Sequence, residues 1–107
     1  MDLVQAMQHA APDNRKLDAV LEQFTKNHEQ AGADLIELRA VYLLVSGRTV
    51  WGVEFQTSPH NFDLLLTGAQ LLLERNRTIT VHMDDSAAVL NTRNVESIEV
   101  LRLDEHS

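Results

Sequence analysis

The sequence predicts an α+β fold: two N-terminal helices, the first short, then ββ-α-βββ with a mostly antiparallel sheet packed on the helix of residues 58–74. Three observations carry that expectation. Apolar residues recur at helical spacing in the first third of the chain, runs that favour strands flank glycine- and aspartate-containing turns, and hairpins outnumber any strand–helix–strand crossover. At 107 residues the chain fits a single domain spanning 1–107. Leu, Ile, Val and Phe account for 32 of those residues, enough apolar content for a core without staples.

The first segment, within residues 1–12, carries Leu3, Val4, Met7 and Ala10 at helical spacing, and Pro12 disfavours helix at Ala11. It reads as a short helix or an arm. Asp13 is placed to cap a second helix whose stripe runs Leu17, Val20, Leu21, Phe24 and His28, with Gly32 as its stop. Residues 34–46 satisfy both a helical capping pattern at Asp34 and Glu37 and a strand pattern at Val41 to Val45. The Ser46-Gly47 turn and the alternation that follows decide for a strand and a β-hairpin. In that alternation Trp51, Val53 and Phe55 share one face, and Gly52 marks a bulge or a close backbone approach. The wholly apolar 41–45 run predicts cover on both faces, by a helix on one and by another subunit on the other.

Ser58-Pro59 starts a third helix, with Asn61 as the alternative cap; Phe62, Leu65, Leu66, Ala69, Leu72 and Leu73 form its stripe, which Leu64 and Leu71 widen. Gly68 suits tight packing by a neighbouring element. Residues 78–83 alternate as a half-buried strand, Asp84-Asp85-Ser86 turns the chain, and strands at 87–90 and 95–103 follow, with 104–107 a loose tail. Tyr42, Trp51, Phe55, Phe62 and Phe24 all read as core.

A net charge of −7 disfavours nucleic acid, since the only concentration of bases is Arg75 and Arg77, with Arg93 and Arg102 nearby at most, and no aromatics interleave them. No apolar run approaches a membrane span. The acidic N-terminus has no signal-peptide pattern, so the expected location is cytoplasmic. The absence of cysteine removes thiolate sites and disulfides, and the five histidines are too widely spaced for ligand pairs. No Gly-x-Ser-x-Gly elbow or phosphate-cradling glycine loop occurs. The expectation is therefore a non-enzyme without cofactor or metal.

Weak polar candidates are Glu54 beside His60 or His82, as a proton-transfer pair, and His82 with Asp84 and Asp85 as a hard-cation site. Short polar residues bonding their own backbone account for Asp-Asp-Ser as a turn, and nothing nearby supplies the further oxygen ligands that an ion site needs. What remains is surplus apolar surface, with Val41, Leu43, Val45, Leu64 and Leu71 as candidate interface residues. The expected function is a protein–protein interaction or regulatory module, an adaptor or immunity-type inhibitor, acting on a protein partner or as a homodimer. The alternative is a small-molecule binder or enzyme with a pocket between the sheet and the 58–74 helix, using Glu54, His60 and His82.

Overall fold

A computed structural model of the chain describes residues 3–103; the expected loose tail at 104–107 lies outside the described residues. Helix α1 (Leu3–Ala10) turns Leu3, Ala6, Met7 and Ala10 inward, and Pro12 closes it in a single 3₁₀ turn over Ala11–Asp13. Helix α2 (Arg15–Ala31) is capped by Asn14, not by the expected Asp13: the Asn14 side chain accepts from the Leu17 amide at 3.2 Å. An N-cap must be the extended residue just before the first helical one, and the Pro12 turn consumes Asp13. Gly32 ends α2 at φ 59°, a left-handed angle that glycine takes without strain. The buried stripe of α2 stops short of His28, which is exposed.

Residues 34–46 resolve as strand: β1 (Ile36–Leu44) pairs antiparallel with β2 (Thr49–Thr57) on one side and β5 (Val95–Arg102) on the other. The remaining strands, β3 (Thr78–His82) and β4 (Ala87–Asn91), form a separate antiparallel hairpin, so five strands make two sheets where one was expected. Thr92 holds the exit from that hairpin. Its buried hydroxyl donates to the Arg75 carbonyl at 2.7 Å and accepts from the Arg77 amide at 3.0 Å, while its own amide donates to the Arg77 carbonyl at 2.8 Å.

Helix α3 (Phe62–Leu73) lies against the inner face of the three-stranded sheet. Leu38, Tyr42 and Val50 from the strands meet Leu65 and Leu72 from α3 with Leu3 and Met7 from α1 and Leu17 from α2, each 1 % exposed or less. The molecule measures 38 × 36 × 20 Å. The short dimension admits about one layer of helices and one of strands, since packed layers sit roughly 10 Å apart.

Two close fits fix the helices to each other and to the sheet. Gly68 of α3 gives α1 its seat, because a Cβ there would lie 2.5 Å from the Cε of fully buried Met7. Asn61, at the start of α3, does not use its side chain as a cap. Wholly buried, it donates to the Phe24 carbonyl at 3.1 Å and to Thr57 Oγ1 at 2.9 Å, and accepts from Asn27 at 2.9 Å. Ser58 takes over the capping, accepting from the His60 amide at 3.2 Å ahead of a 3₁₀ turn at Pro59–Asn61.

Two stability changes are expected in urea denaturation. Asn61→Ala should cost about 3 kcal/mol, because it strips partners from buried polar groups on both α2 and β2. Met7→Ala should cost about 3 kcal/mol in the wild-type chain and at least about 1 kcal/mol less in a Gly68→Ala background, where the new methyl fills part of the vacated space.

Candidate interaction surface

All three helices contribute to the core on the inner side of the β2-β1-β5 sheet, and what the other side displays depends on one extra residue. Opposite β1, Arg39 pairs with Glu54 but Val41 pairs with Trp51, so Gly52 and Val53 together face Ala40. That is a β-bulge, and each bulge reverses the alternation beyond it. Glycine suits the bulge: a Cβ at position 52 would crowd the Ala40 carbonyl oxygen at 3.0 Å, which the backbone would have to relieve by a small shift. Phe55 therefore points inward beside Leu38, whereas Trp51 points outward beside Val41 and is 51 % exposed. The expected common face for Trp51, Val53 and Phe55, and a core position for Trp51, are corrected on this ground.

The outer face reads in cross-strand rows. Trp51, Val41 and Glu99 form one; Glu54, Arg39 and Leu101 form the next; Thr49, Leu43 and Ser97 lie on the other flank. Val41 is buried but stands outside the contiguous core. Leu43 and Leu101 are half-buried. The expected helix lies over one face of the 41–45 run only; among the described residues no helix lies over the other, and the β3–β4 turn reaches it beside Arg39 and Trp51. The Arg39 guanidinium pairs with Glu54 at 3.2 Å, and Gln56 donates to Glu37 at 3.2 Å. A second bulge, at Glu96 of β5, lies opposite the step from Leu43 to Leu44.

Of the five apolar candidates, Val41, Leu43 and Val45 follow one another along this face, with Val45 just past the end of β1 and 62 % exposed. Leu64 and Leu71 are on α3; Leu71 is buried in the core and Leu64 half-buried against it. Among the polar candidates, Glu54 is engaged with Arg39 on the outer face, while His60 lies at the start of the α3 segment in a cleft with Asn27 and Asp34. His82 is exposed at the end of β3, and Asp84 belongs to the turn that follows. Glu54, His60 and His82 line no common cleft, and the space between sheet and α3 is filled by Leu38, Tyr42, Leu65 and Leu72. Among the described residues no three His, Asp or Glu side chains gather as a metal site.

The residue that sequence reasoning missed as a surface group is Trp51. Its signal was present, because Gly52 marks a bulge, but the reversal that a bulge imposes was not carried through to the neighbouring side chain. The exposed indole borders a cleft of about 310 Å³ between the edge of β2 and the β3–β4 turn, lined also by Arg39, Met83, Asp84 and Asp85. That turn is closed by the Met83 amide donating to the Ser86 carbonyl at 2.8 Å.

No family model, no curated protein and no solved structure matches this chain.

Because Trp51 is the chain's single tryptophan, its emission reports directly on the outward orientation. Acrylamide should quench it efficiently in the native protein, and Gly52→Val, which forces the bulge to rearrange, should alter that quenching. A blue-shifted, quench-resistant native emission would place the indole inside.

Proposed function

We propose that this chain is a non-enzymatic protein-interaction module of the regulator, adaptor or inhibitor kind, and that the outer face of the β2-β1-β5 sheet is its binding surface. The observation that carries the reading is the half-exposed Trp51 set among Val41, Leu43 and Leu101 on a sheet face without a helical layer. Tryptophan is the residue type most enriched at the energetic centre of interfaces, and half-buried aliphatic neighbours that exclude water around it complete such a centre. Elsewhere on the surface the large exposed apolar side chains Leu66 and Val89 belong to different elements, α3 and β4.

Size narrows the mode of binding. Three strands about 4.8 Å apart, each rising about 3.3 Å per residue, give a platform of roughly 400 Å². A standard interface takes about 800 Å² from each partner, so the platform suits a segment of a partner, with the β3–β4 turn extending the contact.

A photo-crosslinking amino acid in place of Trp51, compared with one in place of exposed Lys26 on α2, tests the reading in lysate of the source cells. Position 51 should yield a discrete crosslinked protein and position 26 none, and Leu43→Glu should abolish that product while the chain still melts cooperatively. Crosslinks between copies of this chain would identify a homodimer as the assembly. Equal labelling from both positions, or none from position 51, would overturn the assignment of the surface.

A further inference from the structure

We infer that the outer face receives a basic segment of a partner protein, and that an arginine or lysine of that segment seats in the cleft between Trp51 and the Asp84-Asp85 turn. The inference rests on the interaction-module reading and adds to it the chemistry of the occupant.

Charge is the first argument. Among the described residues the face and its rim carry Glu37, Glu54, Glu99, Asp84 and Asp85, against Arg39 on the face and Arg48 in the β1–β2 turn. The Arg39 charge is already met by Glu54 at 3.2 Å. Asp84 and Asp85 enter no ion pair among the described residues, and both are exposed and line the cleft. The chain as a whole carries a net −7, which adds a long-range field of the same sign.

The second argument is the shape and chemistry of the cleft. Its apolar lining is Trp51 and Met83, which suit the aliphatic stem of a long basic side chain; Asp84 and Asp85 line it with them, as does Arg39, whose charge Glu54 meets. An indole face attracts a guanidinium or ammonium by its quadrupole, most strongly when the contact is partly desolvated. A volume of about 310 Å³ accommodates one such side chain. The remainder of the segment then crosses the Val41, Leu43 and Leu101 surface with its own apolar residues.

Charge also argues against a second copy on this face. A twofold contact would set two faces of the same net negative charge against each other, which costs affinity wherever the carboxylates are desolvated.

The test titrates the full chain with a short peptide that alternates arginine with valine, and with its counterpart in which glutamate replaces arginine, following Trp51 emission. The arginine peptide should give a saturable change that weakens with added salt, and the glutamate peptide none. Asp84→Asn with Asp85→Asn should weaken binding by about tenfold or more, while Glu22→Gln with Glu29→Gln, which removes the same charge from α2, should change it less than about twofold. Three results would each overturn the inference: no saturable change with the arginine peptide, equal weakening by both pairs of substitutions, or light scattering that shows self-association burying Trp51. Crosslinking from position 51 to a partner whose binding is indifferent to Asp84→Asn and Asp85→Asn would leave the interaction module standing and remove only the basic occupant. Loss of both the crosslink and the peptide response would remove both.

Discussion

The register slip between Arg39 and Val41 decides what this molecule can offer to another. With helices packed on one side, a three-stranded sheet has one face committed to the core, and strict alternation along β2 would have buried Trp51 with Phe55. The extra residue at Gly52–Val53 splits the strand into two phases. Phe55 and Thr57 serve the core from one phase and Val50 from the other, and the largest side chain of the strand is left outside. A side chain at position 52 would crowd the Ala40 carbonyl at 3.0 Å, so glycine eases the backbone approach at the bulge that also turns the indole outward.

The inner layer is held together by a few close fits between the helices and the sheet. Met7 seats α1 on Gly68 of α3, and Asn61 joins α2, β2 and α3 through three side-chain hydrogen bonds with no exposure to water. A buried amide with all its partners rigidifies an arrangement that apolar packing alone would leave less unique. Thr92 does the same for the chain between α3 and β5. These contacts lie on the helical side or at the ends of elements, and among the described residues no helix crosses the outer face of the sheet.

Much of this was legible in the residues. The helical stripe of Leu17 to Phe24, the glycine stop at position 32, the hairpin around Gly47 and the alternation of Ile79 and Val81 are local patterns, and local patterns survive into the fold. Of the apolar residues expected at the surface, Val45 is exposed and Leu43 half-buried, while Val41 is buried on the outer face. Illegible were features set by long-range geometry. Nothing near Asn61 in sequence reveals that its partners are Phe24 and Asn27, more than thirty residues away, so it reads as a cap. Asp13 reads as a cap until the turn at Pro12 is seen to run one residue further and absorb it. Trp51 was the costliest error, since aromatic content alone argues for the core until the bulge beside it is followed through. Leu71 erred in the opposite direction: its place on the widened stripe suggested surplus surface, and the neighbouring elements bury it.

The account stands on the outer sheet face being the part of the molecule that meets another. Amide and tryptophan side-chain NMR signals of the isotope-labelled chain, recorded in buffer and then in unlabelled lysate of its source cells, measure this directly. The account predicts selective broadening of Val41, Leu43, Trp51, Leu101 and the Met83–Ser86 turn, with the exposed face of α2 unaffected. Broadening centred on α2, or a spectrum unchanged at the outer face while other surfaces respond, would contradict it.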